Sequence, residues 1–290
     1  QTLPQPTRSR QSAAAPAKRF TLADIKTGGS GRPNAYLFYA VEGFGKTSLA
    51  AKTPKPIFIQ SRGETGLETL IQSGLLPETP SFPEAQSWTD ILDAVDLLLA
   101  EQHPYRTLVI DTLNGAERLC FEHVCARDFG GDWGERGFAS YGKGPQVSVA
   151  DWLLFLQKLD KLRTEKKMTI FALSHAKVTT FKNPEGADYD RYQADMDKNT
   201  YGVTSKWADA ILFGNFQVTV NTKRASDGKG KAVDKFRVLF TERGPAFDAK
   251  NRLGLPGEID MGNSADEAWA NFTGALKAGR EPKQEGATNA

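Results

Sequence analysis

The sequence has few cysteines and no long apolar run. Only two cysteines, Cys120 and Cys125, occur in 290 residues, and both fall within one predicted helix. They cannot form the disulfide framework of a small secreted protein, and they suit a reducing compartment. No stretch reaches the ~18 consecutive apolar residues that a membrane-spanning helix needs, and no signal-peptide pattern opens the chain. We therefore expect a soluble, cytoplasmic protein without a membrane partner.

The chain also lacks a strong net charge. Its 37 basic and 35 acidic residues leave a formal charge of +2, so no overall field indicates a nucleic-acid partner. Any such partner has to be inferred from local clusters of charge. Hydrophobic residues make up 39% of the chain and aromatic residues 10%, which is enough to bury the core of one large α/β domain or of two small ones.

A strand, a glycine-rich turn and a helix start follow one another at residues 36–51. Gly45, Lys46 and Thr47 stand at the junction, in the phosphate-binding pattern G-x-x-x-x-G-K-[ST] with Ala40 at the first glycine position. Glycines let backbone N–H groups turn inward around a phosphate, and the helix N-terminus adds its own N–H groups. An ordinary tight turn is the alternative. The predicted nucleotide-binding residues are Glu42, Gly43, Phe44, Gly45, Lys46, Thr47 and Ser48.

Two of these residues, together with one aspartate, predict ATP and Mg²⁺ as ligands. The Lys46 ammonium can reach the β- and γ-phosphates, and the Thr47 hydroxyl can bind Mg²⁺. Asp111 ends an apolar stretch typical of a buried parallel strand. A carboxylate there can hold the same Mg²⁺, directly or through water.

Polar residues also follow two other predicted strands. Glu64 comes shortly after the strand at 56–60, where a carboxylate can orient water against a γ-phosphate as a general base. A solvated loop glutamate is the alternative. His175 follows the strand at 168–173, where it can sense a γ-phosphate or have a purely structural role.

Composition divides the chain into four predicted parts. Residues 1–19 form a flexible basic arm, or a leader without a role, and 20–262 form the nucleotide-binding domain. Residues 263–279 form a C-terminal helix, and 280–290 a disordered tail. Within the domain, alternating residues on both sides of a Gly/Lys-rich turn at 226–231 predict a β-hairpin.

The order of these features resembles the RecA-like ATPases, over about residues 20–260. The resemblance is closest to small phage nucleotide-binding proteins, some of which are recombinases or single-strand annealing proteins. It implies an α/β fold with a mainly parallel central sheet flanked by helices and a C-terminal antiparallel β-hairpin extension. The matching motifs are 40–47, Glu64, 108–111, 174–175 and 248–252. By resemblance, Glu64 is the catalytic glutamate and Asp111 the aspartate of the second Walker motif, whereas His175 replaces a glutamine.

The resemblance also implies partners. In RecA-like proteins two mobile loops contact single-stranded DNA along a filament or ring axis, and 128–146 and 177–200 match them in position. Basic residues of a neighbouring subunit complete the ATP site, and Lys250 and Arg252 are the candidates here. The candidate DNA-binding residues are Arg136, Lys143, Lys177, Phe181, Lys182, Lys223, Arg224, Lys229 and Lys231.

Local charge favours the hairpin over the second loop as a DNA contact. The loop at 177–200 has four basic residues against five acidic ones, so phosphate attraction has to come from elsewhere. The stretch 223–237, which ends at Arg237, has six basic residues against two acidic ones. Solvated surface charge is the alternative.

Three functions are compatible with these features. The favoured one is a slow, Mg²⁺-dependent ATPase that self-associates and binds single-stranded DNA in phage-type recombination or annealing, in the host cytoplasm if phage-encoded. The second is an ATP-dependent motor or loader acting on protein partners in DNA replication, such as a single-strand-binding protein. The third is a nucleotide-gated scaffold with little turnover.

Overall fold

A computed structural model describes most of the chain, including the phosphate loop, Glu64, Asp111 and His175. The described residues are 21–25, 27–28, 31–221 and 231–279, with the backbone alone at 218–221 and 231–235. The predicted arm at 1–19 and the predicted tail at 280–290 lie outside them.

The chain separates into two units at Gly31. In the first unit, Leu22–Asp24 forms a short 3₁₀ helix. The Asp24 carboxylate accepts hydrogen bonds from the backbone N–H and the hydroxyl of Thr21, which explains why the turn begins there.

The second unit, from Arg32 onward, contains the strands and α-helices. The strands are β1 (Ala35–Ala40), β2 (Pro56–Gln60), β3 (Thr107–Asp111), β4 (Thr169–Phe181), β5 (Tyr189–Ala194), β6 (Ala210–Asn221), β7 (Lys231–Phe240), β8 (Lys250–Asn251) and β9 (Glu258–Asp260). The helices are α1 (Lys46–Ala51), α2 (Gly66–Gln72), α3 (Trp88–Ala100), α4 (Leu113–Phe129), α5 (Lys143–Glu165), α6 (Lys198–Trp207) and α7 (Ala265–Ala278).

The sheet has a parallel centre and an antiparallel end. Its strand order is β2-β3-β4-β1-β6-β7-β9, and β5 and β8 pair with β4 and β6. The pairs from β2 to β6 are parallel, whereas β6–β7 and β7–β9 are antiparallel. Because parallel strands share one direction, β1, β3 and β4 bring their carboxyl ends to the same edge. The phosphate loop follows β1, and Asp111 ends β3.

Hydrophobic cores lie on both faces of the sheet. In β1, Leu37 and Tyr39 face one core, whereas Tyr36 and Phe38 face the other. Successive side chains of a strand point to opposite faces, so a strand covered on both faces has to be apolar throughout. All six residues of β1 are buried, which explains its continuous apolar run.

Helices supply the other half of each core. Helices α3, α4, α5 and α6 pack on the first face, and α1, α2 and α7 on the second. Phe272 of α7 is fully buried, so the predicted C-terminal helix packs against the same core as the strands. The predicted fold class is confirmed: an α/β core with a mainly parallel sheet flanked by helices and an antiparallel extension.

The second predicted loop, 177–200, is largely regular structure, so that prediction is wrong. Strand β4 continues to Phe181 and pairs with β5 in an antiparallel hairpin whose first pair is Phe181 and Tyr189. Helix α6 then begins at Lys198, with Asp197 as its N-cap. Aromatic and β-branched residues favour paired strands, and Phe181, Tyr189 and Tyr192 lie on the two strands of this hairpin.

The first predicted loop, 128–146, is shorter than expected, since α4 ends at Phe129 and α5 begins at Lys143. The predicted hairpin exists as β6 and β7, and its turn at 222–230 lies outside the described residues. Among the helices that the structure describes, none is long and apolar enough to cross a membrane.

Candidate active site at the phosphate loop

The phosphate loop connects β1 to α1 through two glycines in left-handed conformations. Gly43 has φ 72° and Gly45 has φ 98°, values that residues with a Cβ rarely adopt. Gly45 is the N-cap of α1, so Lys46 and Thr47 occupy the first turn of that helix. The glycine-rich pattern predicted from the sequence therefore forms a tight loop that leads directly into the N-terminus of α1.

Lys46 is the buried cation of the site. The residue is 9% exposed, and Nζ donates a hydrogen bond to the carbonyl of Ala40 at 3.2 Å. An ammonium has three donors, so a single carbonyl leaves capacity for further acceptors. Burial lowers the pKa of Lys46, and the charges of Asp111 and Glu64 act in the opposite direction.

Thr47 and Asp111 meet at the carboxyl edge of the sheet. The Thr47 hydroxyl donates to Oδ2 of Asp111 at 2.9 Å, although 64 positions separate them in the chain. Asp111 is 3% exposed, and burial raises its pKa to about 6, while the hydrogen bond from Thr47 lowers it. A divalent cation between these oxygens would favour the charged carboxylate, so its binding would release a proton near that pH.

Glu64 is held by two donors. Its Oε1 accepts a hydrogen bond from the Thr112 hydroxyl at 2.9 Å and lies 3.4 Å from Nε2 of His175. The contact with His175 lowers the pKa of Glu64, as does the bond from Thr112, and the same contact raises the pKa of His175. At any pH between the pKa of Glu64 and the pKa of His175, the carboxylate is negative and the imidazole is positive, so the two side chains form an ion pair.

Most of the predicted catalytic and nucleotide-binding residues line one cavity of about 460 Å³. Its walls include Gly43, Lys46, Thr47, Glu64, Asp111 and His175. Of the remaining predicted nucleotide-binding residues, Gly45 and Ser48 also line the cavity, whereas Phe44 is buried behind the loop and Glu42 is exposed.

The sequence did not identify Thr112 and Asn114 as site residues. Thr112 bonds Glu64 and caps α4, and the Asn114 amide oxygen accepts from the backbone N–H of His175 at 3.2 Å. Thr112 and Asn114 follow Asp111 almost directly in the chain. Residues just after a parallel strand lie at the carboxyl edge of the sheet, so their positions in the sequence could have identified them.

A metal would depend on the nucleotide for most of its ligands. In the described residues, no group of three or more His, Cys, Asp or Glu side chains could hold an ion. The Thr47 hydroxyl and the Asp111 carboxylate fit Mg²⁺, which usually keeps several waters and binds through one or two carboxylates and substrate phosphates.

Lys250 and Arg252 do not reach this cavity within the chain. Lys250 donates from Nζ to the carbonyls of Ser205, Lys206 and Ala208 at the end of α6. These three bonds use all the donors of an ammonium, so they account for Lys250 within its own chain. Arg252 is exposed.

The candidate DNA-binding residues fall into three groups. Arg136 and Lys143 are exposed. Lys177 donates to the carbonyl of Met196 at 2.6 Å, Lys182 pairs with Asp188 at 2.5 Å, and Phe181 packs beneath Arg191 at 4.6 Å. Lys223, Arg224 and Lys229 lie outside the described residues, and only the backbone is described for Lys231.

A family model with the description AAA domain matches residues 32–253, well over half of the chain. The chain belongs to the AAA domain family. The matched range includes the phosphate loop, Glu64, Asp111 and His175. This AAA domain is also similar to the crystal structure of the RadB recombinase, with 12% identity and a TM-score of 0.43 over 82% of this chain and 90% of that chain. That similarity is too low to indicate a shared function. None of the curated proteins compared with the chain matches it significantly.

The Glu64–His175 contact predicts a pH-dependent rate of ATP hydrolysis. The pKa of His175 is raised from 6.5, so its ion pair with Glu64 is fully present below that value and is lost as pH rises through the raised pKa. The pKa of Glu64 is lowered from 4.5, so its charge persists above that value. We expect the rate at saturating ATP to rise as the pH increases above 6.5, because the Glu64 carboxylate is no longer paired with a cation once His175 loses its proton.

The matched variant is His175→Gln, which keeps a polar side chain but does not titrate. We expect its rate to lack the rise in this pH range. If the variant shows the same midpoint as the wild type, the titrating group is not His175. Because the His175 side chain is 39% exposed, solvent screens the pair, and we expect little effect on the free energy of unfolding.

Proposed function

We propose that this AAA domain binds ATP with Mg²⁺ and hydrolyses the nucleotide slowly. The observation that supports this function best is the bond of 2.9 Å between the Thr47 hydroxyl and Asp111, beside buried Lys46 and opposite Glu64 in one cavity. Phosphoryl transfer to water requires a cation for the phosphates, oxygen ligands for the metal ion and a base for the attacking water.

Each residue has a defined part in this chemistry. The phosphate-loop N–H groups and Lys46 bind and orient the triphosphate. Thr47 and Asp111 would hold Mg²⁺, which neutralises charge on the phosphates when it is bound. Glu64 orients the attacking water and accepts its proton. The rate is slow because Thr112 and His175 hold the Glu64 carboxylate until one of those bonds is released.

We further propose that the domain acts on single-stranded DNA, in recombination or annealing of the phage type, as a self-associating protein. The segment between α4 and α5 supports this proposal. It contains Arg136, and Lys143 follows at the start of α5, both exposed. Trp133 is 49% exposed and Tyr141 fully exposed, so aromatic faces for base stacking lie among cations for phosphate contact.

An ATPase assay with and without single-stranded DNA tests this function, and it should be repeated over a range of salt concentrations. Strong stimulation by DNA that falls steeply with salt is the expected result. Stimulation by a replication or single-strand-binding protein, without an effect of DNA, would instead indicate a motor or loader. An Arg136→Ala/Lys143→Ala protein should keep its basal rate and lose the stimulation.

The nucleotide-gated scaffold is an alternative function, and the contacts of Glu64 favour it. A carboxylate held by both Thr112 and His175 suits a protein that binds ATP and rarely turns it over. Tight ATP binding with negligible turnover under all the conditions above would support the scaffold.

Arg252 is our candidate for completing the ATP site of a neighbouring subunit, since it is exposed and follows β8. If an Arg252→Ala protein binds ATP and hydrolyses it at the wild-type rate, Arg252 does not complete the ATP site.

A further inference from the structure

Arg237 connects the antiparallel extension to the phosphate loop. It lies in β7 and is partly buried. Nε donates to the carbonyl of Gly262 at 2.8 Å, and Nη2 to the carbonyls of Met261 at 3.1 Å and Ser264 at 2.9 Å. Nη1 donates to the carbonyl of Phe44 at 3.4 Å. One guanidinium therefore binds the loop at residue 44 and the chain segment that precedes α7.

The guanidinium lies directly behind the glycine that starts α1. A Cβ added to Gly45 would lie 3.2 Å from Nη1 of Arg237, closer than an ordinary van der Waals contact. Arg237 does not line the cavity, whereas Gly45 does. The guanidinium thus contacts the phosphate loop from outside the cavity.

This contact determines the direction of one peptide group. In a trans peptide the carbonyl and the N–H point in opposite directions, and the carbonyl of Phe44 shares its peptide with the N–H of Gly45. Because Arg237 binds the Phe44 carbonyl, the Gly45 N–H of the same peptide is directed away from Arg237, and Gly45 itself lines the cavity. An N–H at this position is a donor that a phosphate-binding loop needs.

The ring of Phe44 is held as well. It is 2% exposed and packs edge-on against Phe38, with the ring centroids 5.9 Å apart. A Cβ on Gly214 of β6 would come within 2.6 Å of the Phe44 ring, so this glycine makes room for the ring. Strands β1 and β6 therefore enclose the side chain of Phe44, and β7 holds its carbonyl through Arg237.

Among the described residues, the hydrogen bonds of the Arg237 guanidinium go to backbone carbonyls and not to a carboxylate. Asp260 and Glu267 lie in the same region, but they accept hydrogen bonds from the backbone N–H groups of Gly262 and Asn263. Carbonyls satisfy the donors of a guanidinium without neutralising its charge. A positive charge beside the loop favours a bound polyanion, in addition to the contribution of Lys46.

We propose that Arg237 is a positioning residue of the nucleotide site, which holds the Phe44–Gly45 peptide in its phosphate-binding orientation. This inference rests on the proposed function, because it requires that the loop bind a nucleotide. It also assigns a role to the antiparallel extension, since a strand of that extension determines the geometry of the phosphate loop.

Calorimetry of ATP·Mg²⁺ binding tests the inference with three variants. Arg237→Met removes the charge and the donors, and we expect its Kd to rise by roughly tenfold, in line with hydrogen bonds from a charged group. Arg237→Lys keeps the charge but cannot contact four carbonyls, so we expect most of the same loss. The control is Lys166→Met, which removes a cation bonded to the carbonyl of Glu101 at 2.8 Å, and we expect wild-type affinity.

A merely structural role would change the melting temperature without changing the affinity of the folded protein. Binding is therefore measured well below the melting temperature of each variant. Wild-type affinity in folded Arg237→Met would overturn the inference and leave the proposed function intact. Wild-type affinity in Arg237→Lys, with a loss in Arg237→Met, would assign the effect to charge and overturn the positioning role. Should the wild type itself bind no ATP, the proposed function fails, and this inference fails with it.

Discussion

Replacing Lys46 with alanine is expected to weaken ATP binding by about a hundredfold or more. A charge-assisted hydrogen bond contributes roughly 1.5–3 kcal/mol, and a lysine in a phosphate loop can make more than one to the β- and γ-phosphates. Calorimetry with ATP and Mg²⁺ measures this loss directly. Without nucleotide we expect the melting temperature to stay the same or rise, because Lys46 is a buried cation whose described hydrogen-bond partner is a single carbonyl.

Lys161→Ala is the control, since Lys161 is exposed on α5 and its removal changes the net charge equally. We expect this variant to bind ATP as the wild type does. If Lys46→Ala also binds with wild-type affinity, the cavity beside the phosphate loop is not the nucleotide site, and the functional proposal fails.

Replacing Glu64 with glutamine is expected to lower the rate of ATP hydrolysis by about 10²–10⁴-fold, the usual contribution of a general base. Glutamine has nearly the same shape and can still accept the hydrogen bond from Thr112, but it cannot take a proton from water. We expect ATP binding to be retained, because Lys46 and the loop N–H groups are unchanged. Rates at saturating ATP and a separate binding titration distinguish the two effects.

Glu68→Gln is the control, because Glu68 lies four residues further along the chain and is exposed on α2. We expect its rate of hydrolysis to be unchanged. Wild-type turnover by Glu64→Gln would show that another group acts as the base, and the cavity would still be an ATP site.

Local pattern was enough to predict the centre of the fold. The apolar run of β1 and the glycines after it lie close together in the chain, so their strand, loop and helix start follow from backbone sterics and burial. The same holds for β3 and Asp111, since parallel strands that are buried on both faces have continuous apolar sequences. These elements required no knowledge of distant contacts.

Prediction was less successful where pairing between strands decides the structure. Residues 177–200 were predicted as a loop, but β4 and β5 pair there along six positions. Likewise Arg237 was grouped with the basic residues of the hairpin, although its guanidinium binds carbonyls behind the phosphate loop. Neither contact has a local signal, because each depends on a partner brought near by the sheet.

The amino-acid sequence by itself determined which residues can hold a phosphate and a metal, because glycine, lysine, threonine and aspartate have that chemistry wherever the chain places them. Only the tertiary structure decided which groups control them. The contact of Glu64 with His175 spans 111 positions, and that of Arg237 with Phe44 spans 193. The first contact forms because parallel strands end at one edge of the sheet, and the second because the antiparallel extension packs against the phosphate loop. The periodicity of the sequence does not encode either of these arrangements.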